Sequence, residues 1–284
     1  MSTPLQRKVT LADLRAARQS GAKVPMLTCY DYTMARLMQE AGVPSLLVGD
    51  SAANVILGHA TTLPVSLDFM VEITAAVRRG APLAFLVADM PFGSYQASAT
   101  QGAENVFRMV KATGCDCVKL ETSESQLELV QVLSNSGIAV MAHLGLRPQS
   151  VAITGYRYQG RTAEEASRIV ALALQMERAG AAAILLEAVP PEVAKVVVDQ
   201  TSVPVVGCGS GPYCHGSVIV THDALGLTAS RPRFVPSLGD LAGAYRRAFA
   251  DYVTAVTSGT YPAGEHNYVM AHEEVNKLKR SVGT

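Results

Sequence analysis

The chain has 284 residues, 49% hydrophobic and 17% charged, with 24 basic against 24 acidic residues and a formal net charge of zero. That much apolar side chain offsets ordering entropy and excludes a disordered or low-complexity protein. Balanced charge and a 6% aromatic content without tryptophan exclude a nucleic acid or an anionic membrane as a partner held by bulk electrostatics or base stacking.

The first predicted element is a helix over 11–19, capped by Thr10 or Asp13. A strand over 24–30 (VPMLTCY) and a helix over 32–41, stopped by Gly42, follow. A second strand over 45–49 ends at Asp50, and a helix over 67–79 stops at Gly80. A third strand over 83–88 ends at Asp89, and a helix over 101–113 stops at Gly114. A fourth over 117–120 ends at Glu121, before a helix over 125–135. A fifth over 138–142 ends at His143, before a long helix over 163–179. A sixth over 182–186 ends at Glu187, before a helix over 191–200. Strands over 203–207 and 218–221 and a last helix over 238–258 complete the series.

Glycine after a helix is a stop signal. Strands that are unbroken apolar runs are covered on both faces, and strands alternating with helices are parallel. Eight such units in roughly 250 residues fit a closed (β/α)8 barrel, and no G-x-G-x-x-G follows the first strand to suggest a dinucleotide fold. The 11–19 helix is placed to plug the barrel floor. Residues 1–284 read as one barrel domain, with the helix at about 10–20 and a polar tail at about 270–284 outside its core. The tail is expected to be frayed or to touch another subunit. Residues 1–10 hold no signal peptide, no stretch reaches the roughly 18 apolar residues of a membrane span, and the five cysteines read as buried thiols, so a cytoplasmic location is expected.

Four strands end in a carboxylate and a fifth in histidine: LLVGD, FLVAD, CVKLE, AILLE and AVMAH. In a barrel these ends converge on the face that carries catalysis. Any one acid could cap the helix that follows, but four converging carboxylates repel and need a cation or several donors between them. Asp50, Asp89 and Glu121, on consecutive strands, suit a hard divalent ion such as Mg2+. Lys119 lies two residues before Glu121, on the same side of its strand, where it can meet a substrate anion or pair with an acid. Glu187, apart from that trio, is the candidate general base, and His143 can bond a substrate oxygen or move a proton. Residues 207–211 (GCGSG) resemble an anion-binding loop.

Longer segments carry a family resemblance. TCYDYTMARL (28–37), LLVGDSAANVILGH (46–59), TTLPV (61–65), ADMPFGSY (88–95), VKLE (118–121), HLGLRPQSV (143–151), LLEAVP (185–190) and HDALGL (222–227) occur in one order along nearly the whole chain. Together they resemble ketopantoate hydroxymethyltransferase. The resemblance implies a barrel of the phosphoenolpyruvate mutase/isocitrate lyase type. It implies transfer of a hydroxymethyl group from 5,10-methylenetetrahydrofolate to the 2-oxoacid 3-methyl-2-oxobutanoate, giving 2-dehydropantoate for pantothenate synthesis. It further implies Mg2+ at Asp50, Asp89 and Glu121, substrate contacts from Asp50, Ser51, Asp89, Lys119 and His143, and Glu187 as catalytic base. A homo-oligomer, a decamer of two pentameric rings, is implied as well, with no nucleic acid or membrane partner. By analogy, the loop over 94–104 and the QGR segment at 159–161 would cover the site.

The chain departs from the family pattern at Ala60, Arg157, Ala188 and His215, which are expected to lie at the mouth of the site or in the folate pocket. The alternative is a related metal-dependent aldolase or lyase acting on another 2-oxoacid. Such lyases carry a reactive cysteine in a K-[KR]-C-G-H loop, which is absent from this sequence.

Overall fold

The computed structural model describes residues 3–283. Strands β1 Val24–Thr28, β2 Ser45–Val48, β3 Phe85–Asp89, β4 Cys117–Glu121, β5 Val140–Gly145, β6 Ala183–Glu187, β7 Val205–Cys208 and β8 Gly216–Ile219 run parallel. They close in chain order, with β8 paired to β1. Helix α1 Leu11–Ser20 precedes them, and α2 Tyr32–Glu40, the one-turn α3 Ala52–Val55 and α4 Leu67–Gly80 lie between β1 and β3. Next come α5 Ala99–Thr113, α6 Leu127–Asn135, the short α7 Val151–Thr154, α8 Ala163–Arg178 and α9 Pro191–Gln200. After β8 follow α10 Thr221–Ala224, α11 Leu241–Thr257 and α12 His272–Val282.

The continuous apolar strands serve two cores at once. Leu47, Phe85, Cys117, Met141 and Leu185 fill the barrel interior, while Leu46, Leu86, Leu120 and Ala142 pack outward with the helices. Successive residues point to opposite faces, so both faces must be apolar. Leu14 of α1 is 2% exposed and joins the interior cluster, so the N-terminal helix does plug the floor. The Asp13 carboxylate accepts the Thr10 backbone N–H and hydroxyl at 2.8 Å each, which fixes where that helix starts. Truncating Leu14 to alanine would cost about 2–5 kcal/mol.

Three boundaries differ from expectation. The eighth strand lies two residues earlier than 218–221, because the Thr221 N–H and hydroxyl both bond back to Thr28 and open α10. The last long helix starts at Leu241, because the Asp240 carboxylate accepts the Gly243 N–H. The tail is not frayed: α12 carries Glu273 and Glu274 in its first turn and Lys279 and Arg280 in its last, matching the helix dipole, and Gly283 ends it in a left-handed conformation.

One flank of the barrel is bare. No helix joins β7 to β8, and Pro25 and Ser217 are exposed on the outer face of β1 and β8. Helix α11 buries only Gly243 and leaves Tyr245, Phe249, Tyr252 and Val253 exposed. Among the described residues, no helix is long and apolar enough to cross a membrane.

Candidate active site

The strand carboxyl ends open on a concave cavity walled by polar and apolar side chains, the setting of a small-molecule site. Asp50, Ser51, Asp89, Lys119, His143 and Glu187 all line it. The strand register accounts for their proximity: Asp89 pairs with Lys119, Glu121 with His143, and Gly145 with Glu187. None of the strand-end acids caps a helix. Ser66 and Ser98 cap α4 and α5, and Ser123 precedes the turn after β4, which leaves the carboxylates free for the site.

A polar chain crosses the cavity. Lys119 Nζ is 3.0 Å from Asp89 Oδ1 and 3.3 Å from His143 Nδ1, and His143 Nε2 is 3.4 Å from Glu187 Oε2. Burial and the neighbouring Lys119 charge lower the His143 pKa and keep the ring neutral. Burial works against the Lys119 charge, but Asp89, Asp50 and Glu121 outweigh it and hold the ammonium protonated. An ammonium only donates, so Nδ1 accepts and the ring proton sits on Nε2, which lies 3.4 Å from Glu187 Oε2 without an aligned hydrogen bond. Glu187 is the more accessible end, its side chain 21% exposed against 1% for His143.

The acids are tied together. The Asp50 N–H donates to Asp89 Oδ2 at 3.0 Å. Burial raises the carboxyls of Asp89, to about 7, and Glu121, to about 8, with the Asp50 charge pushing the same way against Lys119. One ammonium does not neutralise three buried acids, and the donors are all oxygen, which fits a hard divalent cation. No group of three acidic, histidine or cysteine side chains gathers at metal-binding distance among the described residues. Glu121 instead turns both oxygens to the Gln149 backbone N–H, at 3.0 and 3.1 Å. Asp50 and Asp89 are linked through the Asp50 backbone N–H, and an ion that keeps several waters needs only one or two carboxylates.

Several residues of the site have no periodic signal in the sequence. Gln149 donates from Nε2 to Asp50 and to the Met90 carbonyl, while its Oε1 accepts from Tyr95 and Gln96. Tyr95 Oη also accepts the Glu121 N–H. The Thr62 hydroxyl lines the cavity, buried, with no hydrogen-bond partner. Tyr30 Oη lies 2.9 Å from Ser51 Oγ and orients it. Gly49 is required there, since a Cβ would sit 2.7 Å from that same oxygen. Only membership of the segments HLGLRPQSV, ADMPFGSY and TTLPV could have marked Gln149, Tyr95 and Thr62.

Other expectations are corrected. Within 94–104, Ser94 and Tyr95 are buried, Gln96 to Ser98 are exposed, and α5 starts at Ala99. Tyr156, just before QGR, does line the cavity. The GCGSG glycines face side chains rather than an anion: a Cβ at Gly209 would meet Phe234 at 2.6 Å, and one at Gly211 would meet Pro191 at 2.7 Å. His215 lies at the start of β8, at the barrel floor, where Nδ1 accepts the Val205 N–H; it is not at the mouth. Ala188 is a departure that does touch the site. Directly after Glu187, it has φ +47° and its carbonyl accepts the Gln159 N–H.

The closed parallel barrel shares its fold with solved members of the phosphoenolpyruvate mutase/isocitrate lyase superfamily. A solved phosphonopyruvate hydrolase, in complex with oxalate and Mg2+, superposes with a TM-score of 0.62 at 16% identity over 96% of each chain. A 2,3-dimethylmalate lyase of that superfamily gives 0.58 at 16%, covering 96% of this chain and 98% of the other. At that identity the likeness concerns the fold. The sequence goes further: residues 8–264 match the ketopantoate hydroxymethyltransferase family, and the chain belongs to it. It is 44% identical to the 3-methyl-2-oxobutanoate hydroxymethyltransferase of Thermobifida fusca over 92% of this chain and 94% of that one. It is 42% identical to that of Hyperthermus butylicus over 98% and 96%. The lyase alternative is not favoured.

Proposed function

We propose that this enzyme transfers a hydroxymethyl group from 5,10-methylenetetrahydrofolate to 3-methyl-2-oxobutanoate, giving 2-dehydropantoate and tetrahydrofolate. The observation that carries the reading is the chain from Glu187 through His143 and Lys119 to Asp89 inside one cavity. It joins a base to a cluster that holds negative charge.

Asp50, Asp89 and Glu121 would supply the oxygen donors for Mg2+. When bound, the ion supplies Lewis-acid polarisation of the 2-oxo group and charge for the enolate. The side chains do the rest. Lys119 and Ser51 bind and orient the 2-oxoacid, and Lys119 places positive charge beside the oxygen that becomes negative. Glu187 takes the proton from C3. A small movement of Glu187 would let the unpartnered His143 Nε2–H reach its carboxylate and steady it. Water adds to the one-carbon unit and the carbon–nitrogen bond to the folate breaks, freeing tetrahydrofolate and leaving the carbon at the formaldehyde level; C3 bonds to that carbon, and its oxygen takes back the proton held by Glu187. Tyr156 at the mouth limits the entry of bulk water.

The resemblance to a decamer is carried into the proposal as a homo-oligomer. The exposed aromatic face of α11 and the uncovered flank of β1 and β8 support it. Light scattering of the purified chain tests it, and a monomer at micromolar concentration would contradict it.

The activity is tested by incubating the enzyme with 3-methyl-2-oxobutanoate, 5,10-methylenetetrahydrofolate and Mg2+. The expected result is 2-dehydropantoate formation that needs all three. Turnover without folate, or none with it, would contradict the reading.

A further inference from the structure

The cavity has two chemically distinct sides. Strands β2 to β6 contribute the acids, Lys119 and His143. The side built from β7, β8 and the segment after α10 is apolar, with Val218, Ile219, Pro232, Phe234 and Val235. Among the described residues, one carboxylate lines that apolar side: Asp223, in the one-turn α10 just after β8. It is not a metal-cluster residue, and the steps above leave it unused. Thr228 Oγ1 donates to Asp223 Oδ1 at 2.7 Å, which orients the carboxylate and leaves the other oxygen open. Phe234 is 42% exposed and packs on Gly209, where a Cβ would come within 2.6 Å of its ring. The ring is thus held at the cavity wall by a surface only glycine provides.

We propose that Asp223 and Phe234 form the subsite for the pterin ring of the folate cosubstrate. This rests on the folate-dependent transfer proposed above. A reduced pterin has a flat pyrimidinone ring with π faces, and an edge with two adjacent donors, the ring N3–H and the 2-amino group. The open Asp223 oxygen can accept from one of these donors, and Oδ1, which keeps a second lone pair beside Thr228, can accept from the other. An aromatic side chain offers its face or edge to the ring. The 2-oxoacid has no donor and gives Asp223 nothing to bind. An anion beside the apolar wall instead repels the oxoacid carboxylate toward Lys119, so the two substrates sort to opposite sides of one cavity.

The test uses the full chain with Mg2+, comparing wild type with Asp223→Asn and Asp223→Ala. Two rates are read: hydroxymethyl transfer against 5,10-methylenetetrahydrofolate concentration, and folate-free exchange of the oxoacid C3 proton in deuterated buffer. The KM for folate is expected to rise roughly 10–100-fold, as for loss of a charge-assisted hydrogen-bond pair. Transfer at low folate then falls by that factor relative to exchange. With a cosubstrate analogue in which a methyl group replaces the 2-amino group, wild type is expected to lose a similar factor and Asp223→Ala little more. An unchanged folate KM in both variants would overturn the subsite, and so would a parallel fall in exchange, which would place Asp223 with the oxoacid. Wild type that exchanges the C3 proton but never uses folate would overturn the proposed donor, and the subsite with it.

Discussion

Gln149 donates its side-chain amide to Asp50 at 2.9 Å while its own backbone N–H faces both oxygens of Glu121. One residue thereby sets two acids of the cluster, and Tyr95 holds it from behind at 2.9 Å. Groups that orient ligating carboxylates change metal affinity or activity by ~10–100-fold when removed. Gln149→Ala is expected to weaken Mg2+ binding by about that factor while the fold persists. Titration calorimetry with circular dichroism checks it, and unchanged affinity would show that Asp50 needs no external support.

Metal-free stability is expected to fall as pH rises. The folded-state carboxyls of Asp89, at about 7, and Glu121, at about 8, lie above their ordinary values of 3.8 and 4.5. Between those limits the unfolded chain has released protons that the folded one still holds, so each pH increment favours unfolding. Below about pH 4 both states are protonated and the effect vanishes. A divalent cation relieves the repulsion and displaces the protons, so Mg2+ should raise the melting temperature more at pH 8 than at pH 6. Scanning calorimetry at the two pH values decides the point; an equal or smaller rise at pH 8 contradicts it.

Ala188 bends the chain right after the base, in a left-handed conformation that β-branched residues avoid. Ala188→Val should cost about 2 kcal/mol of stability and lower kcat more than KM, because the bend aims Glu187. Ala188→Gly should match or slightly exceed wild-type stability. Denaturant melts of both, with steady-state kinetics, test this; a harmless valine would mean the turn is unstrained.

Gly209→Ala should push Phe234 off its seat, since the added methyl would overlap the ring. The expected outcome is a raised KM for the folate with the oxoacid KM little changed. Paired KM measurements for the two substrates read it out. Equal effects on both would mean that the ring closes the whole cavity rather than one side.

The barrel was legible because apolar runs ending in acids repeat down the chain, and Asp50, Asp89 and Glu187 mark those ends directly. Lys119 followed from its period-two spacing to Glu121. Gln149, Thr62 and Asp223 were not assigned, because a polar residue in a short turn or a one-turn helix leaves no periodicity, and its role exists only once distant segments meet. Gln149 reaches Asp50 across 99 positions of chain. The GCGSG run was read as an anion loop since glycine marks both open loops and close packing. Only the structure shows that Phe234 and Pro191 occupy those faces. The helical tail was missed because α12 buries nothing and is sustained by its charge pattern.

The central claim is that Glu187 takes the C3 proton. It is tested most directly by deuterium exchange into 3-methyl-2-oxobutanoate with Mg2+ and no folate, comparing wild type with Glu187→Gln. The amide keeps the shape of the side chain but does not accept the proton. Exchange by the variant should fall by ~10²–10⁴-fold with the oxoacid still bound. Exchange at the wild-type rate in Glu187→Gln would contradict the account and move the base elsewhere in the cavity.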